Sequence, residues 1–139
     1  MKGILAIMML LVLSCSASAE GENMEKLIEV KGNAGSIIYR LNNSTAADDL
    51  WNQLPITVSV SDFSTNEKIF YPESELRTGN TPLAEGGSGT LAYYRPWGNV
   101  VMFYDRFSSN SSLYELGEAI SGEENIGKLT GNISVQKAL

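Results

Sequence analysis

The chain of 139 residues carries a formal net charge of -6 and contains no histidine. That balance, without a basic run anywhere, argues against a nucleic-acid partner, which requires clustered Lys and Arg. The missing imidazole excludes His-based triads, His general bases and His metal sites, while an apolar content of 43% suffices for one packed domain.

The chain opens with a targeting signal, assigned to residues 1–19. Lys2 supplies the positive start, and Ile4–Leu13 is an apolar run too short for a membrane span, which takes roughly 20 residues. Two processing routes fit. Val12-Leu13-Ser14-Cys15 resembles a lipobox, which would make Cys15 the lipidated first residue of a cell-envelope lipoprotein. Ala17-Ser18-Ala19 suits ordinary signal peptidase, which would release a secreted or periplasmic protein starting at Glu20. The short apolar run and the placing of the single cysteine favour the lipobox. Any membrane attachment would then pass through an N-terminal lipid anchor. Either way the domain holds no disulfide. Residues 20–25 read as a tether, and 26–139 as the folded domain.

Leu27–Val30 starts the domain as a strand, and Gly32-Asn33 turns it into a second one marked by Ile37, Tyr39 and Leu41. Asn42-Asn43-Ser44 offers helix N-caps, and the spacing predicts a helix over 45–54. Its apolar face is Ala47, Leu50, Trp51 and Leu54, and Pro55 stops it. Asp48 and Asp49 fall in its first turn, where the helix dipole favours them, and they read as a solvated helix start.

Ile56, Val58 and Val60 alternate with polar residues as a half-buried strand, Asp62–Glu67 is a polar turn, and Lys68–Tyr71 returns. Glu73–Leu76 suggests one helical turn after Pro72, and Thr78–Ser88 a long surface loop. The central hairpin pairs Thr90–Tyr94 with Val100–Tyr104 across a turn of Pro96, Trp97, Gly98 and Asn99. Gly98 and Asn99 are read as the residues that tolerate φ > 0. The second arm is apolar without a break, as for a strand covered on both faces. Beyond the serine-rich loop, Tyr114–Ile120 suggests a strand, with helix as the open alternative, Glu123–Leu129 a short helix and Ile133–Lys137 a closing strand. About seven or eight short strands with one good helix describe a mainly β chain forming a small barrel or sandwich.

Several residues here carry a resemblance. The helix ends in Leu54-Pro55-Ile56 before an alternating strand, and Tyr71-Pro72 follows. Then come Gly89-Thr90-Leu91-Ala92-Tyr93-Tyr94, Trp97-Gly98-Asn99, Val101-Met102-Phe103-Tyr104 and finally Leu116-Gly117. In this order the chain resembles the small bacterial and archaeal cyclophilin-like proteins over nearly all of residues 26–137. The resemblance implies a closed cyclophilin-like β-barrel of about eight strands with one or two capping helices. It does not imply prolyl isomerase activity. True cyclophilins carry a Phe-His-Arg segment and a Phe-Met-x-Gln-Gly-Gly segment, of which Glu85-Gly86-Gly87 is only a faint echo, and they use a pocket histidine that this chain lacks. Fold alone supplies no activity.

Candidate sites follow from side-chain chemistry. An isomerase could still use an arginine to bond the prolyl nitrogen; of Arg40, Arg77, Arg95 and Arg106, Arg77 beside the long loop and Arg95 in the hairpin turn are best placed. The ordinary alternative for each is an arginine lying over apolar neighbours. A ligand groove is expected around Tyr71, Arg77, Tyr94, Trp97 and Phe103, although alternation sends Tyr93 and Tyr94 to opposite faces and so commits some aromatics to the core. Glu73, Glu75, Glu85 and Asp105 show no spacing that pairs two carboxyls for glycosidase chemistry. No calcium loop occurs, and Gly86-Gly87-Ser88-Gly89 lacks the Lys of a phosphate loop. No metal or cofactor is expected. The leading expectation is an exported module that binds a peptide, protein or small ligand without catalysis. The alternatives are an atypical prolyl isomerase and an accessory subunit with no ligand of its own.

Overall fold

The structure is a computed structural model that describes residues 25–138. The signal peptide, the lipobox at Cys15 and most of the tether lie outside the described residues. Eight strands follow in order: β1 (Leu27–Gly32), β2 (Gly35–Leu41), β3 (Ile56–Phe63), β4 (Glu67–Phe70), β5 (Thr90–Tyr94), β6 (Asn99–Phe103), β7 (Leu113–Ser121) and β8 (Gly131–Lys137). Helix α1 (Thr45–Trp51) separates β2 from β3, and a 3-10 helix (Glu123–Lys128) separates β7 from β8. The strands pair antiparallel around a closed barrel in the order β1–β2–β7–β5–β6–β4–β3–β8, with β8 returning to β1. Closure leaves no free sheet edge.

The interior follows from alternation. Ile28 and Val30 of β1, Ile37 and Tyr39 of β2, Leu91 and Tyr93 of β5, and Val100 and Met102 of β6 fill one continuous core. Helix α1 presses Ala46, Ala47 and Leu50 onto that core, and the 3-10 helix adds Ile126. The two helices stand at opposite ends of β2, since α1 follows Leu41 while Asn125 of the 3-10 helix donates to the Ser36 carbonyl at 3.2 Å.

Ser44 caps α1, its hydroxyl accepting from the Ala47 amide. The helix is shorter than the predicted 45–54, because the amides of Gln53 and Leu54 turn to the carbonyls three residues back, tightening the end ahead of Pro55. Asp48 and Asp49 do more than begin a helix. Asp48 accepts from the Lys26 ammonium at 2.7 Å, and Asp49 holds Arg77. No helical turn forms over Glu73–Leu76; the chain bends at Glu73 and Ser74, and the Leu76 amide donates to the Tyr93 hydroxyl at 3.1 Å.

Two glycines let β7 lie close to β2. A methyl group on Gly117 would overlap the Arg40 carbonyl oxygen far inside van der Waals contact, and Gly122 has φ 79 with the Ser36 carbonyl equally near. Only glycine fits such an approach.

Candidate functional site

The outer face of β4, β5 and β6 carries a second apolar cluster, separate from the barrel interior. Alternation dictates its membership. Ala92, Val101, Phe103 and Ile69 point outward from strands whose other residues fill the core. The ladder sets Ile69 beside Val101, Val101 beside Ala92, Glu67 beside Phe103, and Asn99 beside Tyr94. Strand β6 is buried along its whole length, Asn99 through Phe103, because one face meets the interior and the other this cluster.

Loops close over the face. Phe107 stacks on Phe103 with ring centres 3.8 Å apart and planes 13° from parallel. At the rim, Trp97 meets Phe63 edge-on at 5.1 Å and Tyr94 edge-on at 5.6 Å. Trp97 and Phe63 remain 51% and 41% exposed, so this aromatic rim faces water. Between rim and strands lies a cavity of about 350 Å³, floored by Asn99, Val101 and Phe103. That is within the range of small-ligand sites, about 300–1,000 Å³.

Two polar groups distinguish the cavity. Asn99 is 1% exposed, and its side-chain Oδ1 has no hydrogen-bond partner among the described residues. A buried carbonyl oxygen left this way typically costs about 1–3 kcal/mol. Glu67 also lines the cavity and makes no ion pair among the described residues. Partial burial pushes its carboxyl above the ordinary glutamate value. It is the one charged side chain of the lining.

Of the residues expected to form a groove, Tyr94, Trp97 and Phe103 come together here. Tyr71 and Arg77 do not line this cavity. Tyr71 leaves the barrel directly after β4 and is 54% exposed. Arg77 is tied to α1, where its backbone amide, Nε and Nη2 all donate to the Asp49 carboxylate at 2.8, 3.0 and 2.8 Å. Those bonds hold the Asp49 carboxyl below its usual value and raise the guanidinium further. Arg95 is exposed in the hairpin turn and also outside the lining.

The second arm of the hairpin begins one residue earlier than predicted, and this changes the meaning of Asn99. Gly98, with φ 74, supplies the left-handed turn residue alone, its amide donating to the Tyr94 carbonyl at 2.9 Å. Asn99 is the first residue of β6 and points into the cavity lining, not into the turn. Phe63, Glu67 and Phe107 were likewise absent from the predicted groove. The readable signal for two of them is a large apolar residue inside an otherwise polar segment, Phe63 in Ser61–Glu67 and Phe107 in Asp105–Ser112.

A closed antiparallel barrel of this strand order, bearing helices and a pocket on its outer wall, defines a domain of the cyclophilin-like fold. The family model described as the Cyclophilin-like family matches residues 30–137, and the chain belongs to that family. Among solved structures it is similar to the solution structure of a hypothetical protein from Archaeoglobus fulgidus, at 15% identity and a TM-score of 0.63. That likeness covers 82% of this chain and 95% of the archaeal one, and it is a likeness of fold. No curated protein matches the chain.

Proposed function

We propose that this protein is an exported, non-catalytic binding module that holds a small ligand or peptide in the outer-face cavity between Trp97 and β6. The observation that carries the reading is the combination of an aromatic rim open to water with an Asn99 carbonyl oxygen buried and unpartnered on the cavity floor. A ligand would satisfy that oxygen and cover the rings at once. None of Arg40, Arg77, Arg95 and Arg106 is among the lining residues, which favours binding over arginine-assisted isomerisation.

The test is NMR on the protein beginning at Glu20, mixed with an Ala-Pro peptide. Uncatalysed exchange about X-Pro bonds takes tens of seconds or longer, so catalysed exchange gives unmistakable cross-peaks. Shifts confined to amides of 63–67 and 94–103 without such cross-peaks support the binding module. Cross-peaks that vanish in Arg77→Ala or Arg95→Ala establish the isomerase instead.

Export and lipid anchoring rest on residues 1–19. Palmitate labelling of the protein in its own cell, abolished by Cys15→Ser, would establish the lipoprotein. Unlabelled protein beginning at Glu20 would establish the soluble route.

A further inference from the structure

We propose that the ligand of this cavity is a small organic cation, an ammonium-type group on an apolar body, whose N–H donates to Asn99 Oδ1 under the field of the Glu67 carboxylate. The inference deepens the binding reading above and rests on it.

Three features of the cavity lead to it. The first is the sign of the unmet hydrogen bond. Asn99 is 1% exposed and the orphaned atom is its acceptor, so what is lacking is a donor, which a carboxylate or phosphate ligand would not provide. The second is charge. Glu67 stands beside Phe103 at the far end of the β6 ladder from Asn99, and among the described residues no Lys or Arg lines the cavity to balance it. Lys68, next in sequence, is buried and committed to Asp62. Its alternation from Glu67 sends it to the other face of β4. A cation entering the cavity therefore meets one uncompensated negative charge in a partly desolvated setting, where attraction is stronger than in water.

The third is the walls. Trp97, Tyr94 and Phe63 present ring surface at the mouth, and Phe103 and Phe107 deepen it. Aromatic faces attract cations and also take up an apolar body, so the same rings serve both parts of the ligand. The cavity, about 350 Å³, is sized for a small molecule and not for a long peptide. A neutral ligand would leave Glu67 unbalanced, and an anion would be repelled by its carboxylate.

The experiment uses the protein beginning at Glu20 and three probes of one shape: phenethylammonium, 2-phenylethanol and 3-phenylpropanoate. Titration is followed through the amides of Glu67, Asn99 and Val101 by NMR. The expected result is binding in the order ammonium, then alcohol, then carboxylate. Glu67→Gln should weaken the ammonium by about tenfold or more while changing the alcohol little, whereas Asn99→Leu should weaken both, the ammonium more, in line with charge-assisted hydrogen bonding. Added salt should weaken the ammonium alone. Equal binding of ammonium and alcohol, or stronger binding of the carboxylate, overturns the cation while leaving the binding module standing. Failure of all three to shift these amides overturns both. Far-ultraviolet circular dichroism of each variant separates lost binding from lost folding.

Discussion

The barrel interior and the outer face of β4, β5 and β6 are built from the same strands, yet they treat polar atoms in opposite ways. Each contains a buried oxygen with no partner among the described residues: Tyr39 Oη inside the barrel and Asn99 Oδ1 outside it. Tyr39 is enclosed by a filled core, where no ligand can reach, and burial keeps its phenol protonated. Asn99 stands on the floor of a cavity open past Trp97. An unmet polar atom is a sign of ligand binding only where space adjoins it. Inside the barrel it is simply a small loss accepted by good packing around it.

The sharpest way to break this contrast is by truncation. Leu91→Ala or Met102→Ala leaves a void in the interior and should cost about 2–5 kcal/mol. Trp97→Ala removes edge contacts at a half-exposed rim and should cost about 1 kcal/mol while abolishing probe binding. Urea unfolding measures all three. Equal losses would mean that the rim is part of the core and not a site.

The tyrosines sharpen it further. Tyr93 Oη accepts from the buried Leu76 amide, so Tyr93→Phe strands that donor and should lose about 1–3 kcal/mol. Tyr39→Phe removes an oxygen that bonds to nothing, and should leave stability unchanged or slightly raised. A large loss in Tyr39→Phe would show that its hydroxyl is satisfied after all, and the comparison of the two orphaned oxygens would fall.

Asn99→Leu comes next in size. Replacing the unpartnered amide by an apolar side chain of similar volume should be neutral or stabilise by about 1 kcal/mol, and should weaken cation binding. Stability gained as binding is lost is what a functional group retained at a structural cost produces. A substantial destabilisation in urea would instead mark Asn99 as structural.

Much of the barrel was legible because it follows from period and punctuation. The alternation of Leu91, Tyr93 against Ala92, Tyr94 divides interior from outer face as the structure does. The unbroken apolar run in β6 signalled a strand covered twice over. The pocket was harder to read. Trp97, Tyr94 and Phe103 lie close in sequence and were found together, but Phe63, Glu67 and Phe107 reach them through β3–β4 pairing and a loop, which no local pattern encodes. Asn99 was misplaced because Gly-Asn is a turn signal, and the strand's start one residue earlier decides where that side chain points. Arg77 stands beside a long loop in sequence, which alone points it toward a groove. Its partner, Asp49, lies on α1 and could be joined to it only by the fold.

The smallest effect separates the two regions by pH. Asp49 has its folded value lowered, first by the Arg77 hydrogen bonds. Its contribution is present above the ordinary aspartate value, about 3.9, and is lost as pH falls through the lower folded value. Glu67 runs the other way, since burial raises its folded value. Its contribution is present below the ordinary glutamate value, about 4.3, and is lost as pH rises through the higher folded value. Asp49→Asn should therefore flatten the acid limb of the stability curve, whereas Glu67→Gln should flatten the rise in instability just above pH 4.3, an effect of burial alone. Bound phenethylammonium should reduce the Glu67 effect, because a cation in the same cavity favours the ionised form of the carboxyl. A direct titration of the Glu67 carboxyl carbon by NMR reads this. A value that falls when the ammonium is added places the cation at the carboxylate, and one that stays fixed puts it elsewhere.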